Sequence, residues 1–262
     1  MDTTKASPVN PIAKPVSIIN TRENNAVIYP SSLQAHKEQT LNYIQKFSEK
    51  RRQYLIRTYN AGKKFFPKIV LVLKKFGLPQ ELKVLVALES GFNPNAISPV
   101  GALGYWQIMD EVAREYGLHM ASADKSSSAK NKKKDKDDRT NFAKSTLVAA
   151  KYLRDRCRNL NNNLLLIVAS YNWGVGNVWR AMERTGKSNP DFWDIKKYLP
   201  AETKAYVMNF ITLNVIFNNY DKFSKNKLVF TSDDKEEITP DVEEDTAGES
   251  TATACDAAIV TN

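Results

Sequence analysis

The chain is poor in the residues that hold small disulfide-bonded or metal-dependent proteins together. Its 262 residues include two cysteines and two histidines, too few for a disulfide framework or, we expect, for a dedicated zinc site. No apolar run reaches the roughly 18 residues typical of a membrane-spanning helix. Runs of β-branched residues with alternating polarity are also absent, which argues against a β-sheet protein. We therefore expect no metal, no other cofactor and no membrane span.

Apolar and basic residues are plentiful instead. Hydrophobic residues make up 42% of the chain and aromatic residues 10%, which is enough for a core and excludes a wholly disordered protein. Residues 231–262 contain ten acidic residues and one lysine, a net charge of −9. Because the whole chain carries +9, residues 1–230 carry +18. So basic a body favours polyanionic surroundings, namely nucleic acid, anionic lipid or an acidic cell-wall polymer. A solvated lysine-rich surface is an equally good explanation.

The chain divides into segments of different composition. Residues 1–30 contain four prolines and no apolar period, which predicts a mobile arm. Helical periodicity over 31–64 predicts an N-terminal extension, and 65–230 predicts the main domain, interrupted by a charged loop at 122–138. The acidic tail at 231–262 is expected to be disordered. No export signal is visible at the N-terminus, so the sequence describes either a cytosolic protein or a mature chain.

Start and stop residues support an all-α fold. The apolar stretch from Phe65 to Phe76 ends at Gly77, a typical residue after a helix C-terminus. The run from Leu164 to Val168 is fully apolar and predicts a buried helix that begins after three asparagines. Pro200 predicts the start of the last long helix.

A glutamate occupies a position that the apolar pattern assigns to the interior. Leu82, Leu85, Val86 and Glu89 follow one another at helical spacing and share one face. The positions three and four residues away from Glu89 hold no lysine or arginine, so its own helix supplies no ion pair. Burial without a nearby cation raises the pKa of a carboxyl group, because it disfavours the charged form. Such a group can act as a general acid. On periodicity alone, a glutamate turned to solvent at the helix end is an equally good interpretation.

A long turn-rich segment follows this glutamate directly. Residues 93–107 contain two prolines and two glycines and carry Ser98, Tyr105, Trp106 and Gln107. Loops on a rigid scaffold commonly carry binding sites, and aromatic faces with amide donors suit sugar rings. For Trp106 and Met109 an ordinary core position is the alternative.

Three segments in order resemble one enzyme family. The sequence ESGFNPNAISPVGALGYWQIM (Glu89–Met109) is similar to the signature of the soluble lytic transglycosylase (SLT) domain of glycoside hydrolase family 23. The sequence ASYNWGVGNV (Ala169–Val178) resembles a second motif of that family, with Trp173 in place of a small residue. LPAETKAYV (Leu199–Val207), together with Asp138–Arg139 before a helix, resembles the membrane-bound lytic transglycosylase D subgroup. The resemblance covers roughly residues 65–220 and implies a lysozyme-like helical domain.

The resemblance also implies a reaction. Such enzymes cleave peptidoglycan between N-acetylmuramic acid (MurNAc) and N-acetylglucosamine (GlcNAc). One glutamate, here Glu89, acts as acid and then as base, and the product carries a 1,6-anhydro ring. Ordinary glycosidases use two carboxylates, and residues 90–109 hold no second one. The family match makes Ser98 and Gln107 hydrogen-bond partners of the sugar N-acetyl group or of groups near it, and it places Met109 on the wall of the cleft.

The later motifs supply further site residues by the same resemblance. Tyr171 matches a tyrosine that orients the catalytic acid. Asn172 is expected to hold its loop, with substrate contact as a second role. Glu202 matches a glutamate that lines the cleft, although its position in the first turn of a helix is also explained by the helix dipole. Tyr206 lies one turn later and faces either the same cleft or the core.

Two other functions remain open from the sequence. A goose-type lysozyme would require a second carboxylate that activates water, with Asp110 and Glu111 as the nearest candidates. A non-catalytic wall-binding protein on the same fold is the other. We expect a monomer in the periplasm or cell envelope that acts on peptidoglycan strands and associates peripherally with the outer membrane or anionic wall polymers. No element typical of nucleic-acid recognition is present, so we expect no nucleic-acid partner.

Overall fold

The computed structural model describes residues 25–121 and 136–231, and these ranges are helical. The only β-type pairings in them are isolated bridges. Short 3₁₀ turns occur at Ser31–His36, Gln80–Val84, Asp138–Thr140 and Lys196–Tyr198. The α-helices are α1 (Lys37–Lys50), α2 (Arg52–Gly62), α3 (Phe66–Lys75), α4 (Leu85–Ser90), α5 (Asp110–Glu115), α6 (Phe142–Asn159), α7 (Leu164–Trp173), α8 (Val175–Glu183), α9 (Phe192–Ile195), α10 (Ala201–Asn218) and α11 (Tyr220–Ser224). The predicted all-α class is confirmed.

Several helix ends follow from single residues, as the sequence predicts. Gly77 adopts a left-handed φ of 66° just after α3, a conformation that costs glycine little. The side chain of Asn163 accepts a hydrogen bond of 3.2 Å from Leu166 N and so begins α7. Asn141 does the same for α6 through Lys144 N at 3.1 Å. Pro200 precedes α10, where its missing N–H is not needed.

The core is built around α7 and the second half of α10, which are mostly apolar and buried on nearly all sides. In α7 every residue from Leu165 to Ser170 is buried, and α10 buries nearly all of its second half. These helices contact each other, α7 also contacts α6 and α8, and α10 contacts α1 and α4. A helix that is apolar all round has to lie inside the domain. Because α4 packs on α10, the segment that carries Glu89 is held against the centre of the molecule.

Residues 25–30 differ from the predicted mobile arm. Val27 N donates to Val229 O, and Val229 N donates to Asn25 O, both at 2.9 Å. The side chain of Asn219 accepts from Ile28 N at 3.0 Å and donates to Ile28 O. Val27 is buried, as is Tyr29. Local composition misses this segment because its partners lie about 190 residues away in the chain.

The remaining segment predictions are tested less directly. The rest of the arm, most of the charged loop and all but the first residue of the acidic tail lie outside the described residues. The predicted extension at 31–64 packs on the main domain, where the Tyr43 hydroxyl donates to Asn209 Oδ1 at 2.9 Å. The division of the chain at residue 64 stays a prediction. Within the described ranges, no helix combines the length and the apolar character needed to cross a membrane.

Candidate active site

Glu89 lies in the last turn of α4, and the preceding residues of its face are inside the core. Leu82, Leu85 and Val86 are completely buried, as the helical spacing predicts. Gly91 then ends the helix with a left-handed φ of 57°, which turns the chain away before the glutamate is fully covered. Glu89 is consequently partly buried, at the boundary between the core and solvent.

The Glu89 carboxyl meets a hydroxyl group instead of a cation. The Tyr206 hydroxyl of α10 donates a hydrogen bond to Glu89 Oε1. Burial raises the pKa of Glu89 to about 7, the hydrogen bond from Tyr206 lowers it in part, and the charge of Glu202 raises it. At neutral pH the group is therefore about half protonated. Of the two orientations left open by the sequence, the sheltered one is observed.

Two further tyrosines surround this carboxyl group. Burial and the charge of Glu89 raise the pKa of Tyr171, which stays a neutral phenol. Its hydroxyl donates to Trp106 O at 2.8 Å. The family match predicts that Tyr171 orients the acid, but the hydroxyl bonded to Glu89 is that of Tyr206. Tyr152 packs edge-to-face on Tyr171, with 5.7 Å between the ring centroids.

The loop after Glu89 is held by its own polar side chains. Gln107 Nε2 donates to Ala96 O at 2.9 Å and to Gly104 O at 3.0 Å. Ser98 Oγ accepts from Ala102 N at 3.0 Å. Ser90 Oγ donates to Tyr105 O at 2.8 Å, which ties the end of α4 to the far end of the loop. The loop is thus shaped before any substrate arrives, which favours binding.

A buried arginine fixes the end of this loop to the chain before α6. Arg139 is 8% exposed and donates through Nη2 to Asp137 at 2.7 Å, through Nε to the same carboxylate, and through Nη1 to Asp110. Gly104, with a φ of 83°, lies so close that a Cβ there would be 2.2 Å from Arg139 O. The loop therefore needs a glycine at this contact.

The other predicted site residues are distributed around this centre. The polar atoms of Ser98 and Gln107 bond to the loop backbone, and Met109 is partly buried at the start of α5. Asn172 Oδ1 accepts from Thr203 Oγ1 at 2.8 Å, so it joins α7 to α10. Glu202 is exposed in the first turn of α10, and its charge acts on Glu89.

Trp106 belongs to the core. It is completely buried, and its Nε1 donates to Thr146 Oγ1 at 3.0 Å. The core alternative left open by the sequence is therefore the observed one.

The structure brings Tyr206, Tyr171 and the charge of Glu202 to Glu89, and it adds Tyr152, which the sequence motifs miss. The one feature of the sequence that could have indicated Tyr152 is its position three residues after Ala149, on the apolar side of α6. The described part of the chain contains no group of three or more histidine, cysteine, aspartate or glutamate residues placed to hold a metal.

Comparison with known proteins gives consistent matches. Residues 72–193 match the family model of the transglycosylase SLT domain. Over 154 residues the chain is 34% identical to the membrane-bound lytic murein transglycosylase D of Escherichia coli K12, which covers 58% of this chain and 31% of that protein. Membrane-bound lytic murein transglycosylase F of Salmonella arizonae is 27% identical over 146 residues, 51% of this chain and 25% of that protein. The chain thus spans about a third or less of the length of these relatives.

Solved structures of similar proteins include an inactive variant of the lytic transglycosylase Slt from Pseudomonas aeruginosa. It has a TM-score of 0.44 and 24% identity, over 62% of this chain and 24% of that one. The range matched by the family model includes Glu89, the whole of the following loop and Tyr171. The resemblance predicted from the motifs is confirmed, since residues 72–193 match the model of the transglycosylase SLT domain.

Proposed function

We propose that this protein is a peptidoglycan lytic transglycosylase that cleaves the β-1,4 bond between MurNAc and GlcNAc and leaves a 1,6-anhydro-MurNAc end. The observation that carries the proposal is the state of Glu89, a sheltered carboxyl with a pKa of about 7 and a hydroxyl partner. Such a group gives up a proton and takes one back near neutral pH. The match of residues 72–193 to the SLT domain model and the names of the relatives support the substrate class.

The reaction uses this one carboxyl twice. Protonated Glu89 donates its proton to the bridging oxygen, and the bond from C1 of MurNAc to that oxygen breaks with the electron pair going to the oxygen. The acetamido group of the substrate stabilises the cationic C1, as in substrate-assisted glycosidases. The C6 hydroxyl of the same sugar then attacks C1, and ionised Glu89 takes the hydroxyl proton. Because both reacting atoms belong to one ring, the attack gains from proximity. No water is consumed, and Glu89 ends protonated.

Tyr206 acts in this scheme as a positioning residue. Its hydroxyl holds Glu89 Oε1 and thereby leaves the other carboxyl oxygen to face the substrate. Since a hydrogen bond to the ionised form is stronger than one to the neutral form, Tyr206 favours the release of the proton. Burial opposes that release, and the balance keeps the pKa near 7.

The carboxylates that a lysozyme would need differ in their suitability. Asp110 is bound to Arg139 and also lies 3.6 Å from Arg114, so it is held as an ion pair. Glu111 is exposed at the start of α5. Glu202 is the acid whose charge acts on Glu89, and it is the carboxylate most suited to activate water if hydrolysis occurs.

Mass spectrometry of the products from purified sacculi tests the proposal. A 1,6-anhydro end is lighter by one water than a hydrolysed end, so the two reactions give different masses. We expect anhydro ends from the wild type and intact glycan from Glu89→Gln. Reducing ends would establish hydrolysis, and loss of those ends in Glu202→Gln would assign Glu202 the role of base. Intact sacculi with the wild type would support a binding protein instead. The proposed location is the cell envelope, where this substrate occurs.

A further inference from the structure

A row of tyrosine rings leads away from Glu89 across three helices. Tyr171 of α7 contacts Tyr152 of α6 edge-to-face at 5.7 Å between centroids, and Tyr152 contacts Tyr116 at 6.2 Å in the same manner. Tyr171 donates to Trp106 O, and Ser90, the neighbour of Glu89, donates to Tyr105 O, so the first ring and the end of α4 lie against adjacent residues of the same loop. Tyr116 follows the end of α5, and its hydroxyl donates to Asp155 Oδ2 at 2.6 Å. We call Tyr116, Tyr152 and Tyr171 the tyrosine row.

A guanidinium group lies over the middle of this row. Cζ of Arg156 is 4.4 Å from the centroid of the Tyr152 ring, one helical turn further along α6. The residue is partly exposed, and its buried Nε has no hydrogen-bond partner among the described residues. Stacking on the ring holds the guanidinium in place and reduces the entropy lost when it binds an anion.

Arg156 has no carboxylate partner among the described residues. Asp155 is already engaged by the Tyr116 hydroxyl and lies 3.6 Å from Arg158. Glu115 acts electrostatically on Tyr152 together with Arg156, but the structure shows no ion pair between them in its described ranges. Arg139, in contrast, binds two carboxylates. Arg156 is therefore a cation that stacks on a ring and makes no ion pair with a described residue.

The proposed substrate carries carboxylates outside its sugar rings. Its sugar rings are neutral, and each MurNAc bears a peptide with free carboxylate groups. Aromatic rings suit the C–H faces of sugars, and a planar guanidinium binds a carboxylate with two parallel hydrogen bonds. We propose that Arg156, on the tyrosine row, forms a subsite that binds a carboxylate of the peptide while the glycan lies over Glu89. This inference rests on the proposed function.

The same helix supplies a matched control. Arg154 also lies over an aromatic ring, that of Phe76, with 5.2 Å from Cζ to the centroid. Two residues along an α-helix correspond to a turn of about 200°, so Arg154 projects from the other side of α6, toward the end of α3. Substituting either arginine by glutamine removes one charge and one cation–π contact from the same helix.

The experiment measures binding by calorimetry in a Glu89→Gln background, which prevents turnover. The ligands are peptide-bearing glycan fragments and chitooligosaccharides with the same number of sugars, which carry no carboxylate. We expect Arg156→Gln to weaken binding of the peptide-bearing fragments about tenfold, the effect of one charge-assisted contact. Binding of the chitooligosaccharides should be unchanged. Arg154→Gln should alter neither, and Arg156→Lys should recover part of the lost affinity because it keeps the charge.

The outcomes separate this inference from the function on which it depends. If Arg156→Gln weakened both ligands equally, or neither, the carboxylate subsite would be rejected while the proposed function stood. If the Glu89→Gln parent bound neither glycan, the proposed function would fail and the subsite with it. Thermal unfolding of each variant establishes whether it is folded. Should Arg156→Gln not fold, the comparison of Arg156→Lys with Arg154→Lys decides by the same criterion, since lysine keeps the charge but loses the paired hydrogen bonds.

Discussion

Two sheltered carboxyl groups beside the active-site loop show how a partner changes the effect of burial. At Glu89 burial raises the pKa to about 7, and the neutral Tyr206 hydroxyl offsets only part of that rise. At Asp137 burial also acts to raise the pKa, but the hydrogen bonds and charge of Arg139 outweigh it and lower the pKa. Shelter is common to both groups. The partner decides whether the group keeps a proton or a negative charge near neutral pH, so we call Glu89 the proton-storing carboxyl and Asp137 with Arg139 the charge-storing site.

The largest effect is expected at the proton-storing carboxyl. Glu89→Gln keeps the shape of the side chain but has no proton to give, so activity on sacculi should fall by about a thousandfold or more. Release of soluble muropeptides measures the loss. Near-wild-type turnover by this variant would exclude Glu89 as the acid.

The same variant has a predicted effect on stability, which serves as its control. The native pKa of Glu89 lies above its usual value of 4.5, so the native state binds the extra proton and this contribution is lost as pH rises from about 4.5 through about 7. Above pH 7, Glu89→Gln should therefore be the more stable protein by about 3 kcal/mol, and below about pH 4.5 the difference should vanish. Urea unfolding at both pH values gives the comparison.

At the charge-storing site, substitution of the partner should lower the stability of the protein instead of raising it. Arg139→Gln leaves the Asp137 carboxylate sheltered without its cation, and we expect a loss of about 3 kcal/mol in the free energy of unfolding. Arg114→Gln is the control, because Arg114 is exposed and its ion pair with Asp110, at 3.6 Å, is also exposed. An exposed ion pair contributes about 0.5 kcal/mol to the free energy of unfolding. Equal losses in the two variants would contradict the structural role of Arg139.

Replacing the hydroxyl partner sharpens the comparison at Glu89 itself. Tyr206→Phe removes the hydrogen bond that lowers the pKa of Glu89, so the alkaline limb of the pH–rate profile should move to higher pH. We expect the rate at the optimum to fall about tenfold because the carboxyl is less well positioned. Tyr171→Phe is the matched control, since that hydroxyl bonds to Trp106 O. A fall in rate with an unmoved profile would indicate a packing role only.

The smallest effect is expected from the charge of Glu202. Glu202→Gln removes the negative charge that raises the pKa of Glu89, so the alkaline limb should move to lower pH, opposite in sign to Tyr206→Phe. The shift should shrink as salt is added, because Glu202 is exposed. Glu111→Gln, also exposed, should leave the profile in place. A loss of anhydro product without a shift would instead assign Glu202 a direct role in the reaction.

Much of the fold could be predicted because helix limits are local. Gly77, Asn163 and Pro200 each act on backbone groups within a few residues, so their effects are visible in the chain itself. The position of Glu89 on an apolar face is local in the same sense. Its preceding neighbours on that face, such as Leu85, are buried as the spacing predicts.

The sequence by itself therefore determined the helices, the polar group on an apolar face and, through the motifs, the similarity to the SLT domain. Only the tertiary structure decided that Tyr206 and not Tyr171 bonds to Glu89, that Trp106 lies in the core, and that residues 25–30 pack on the C-terminal end. These contacts join residues between 40 and more than 190 positions apart. Periodicity within one helix states which face is buried, but the partner on that face is set by how separate helices pack together.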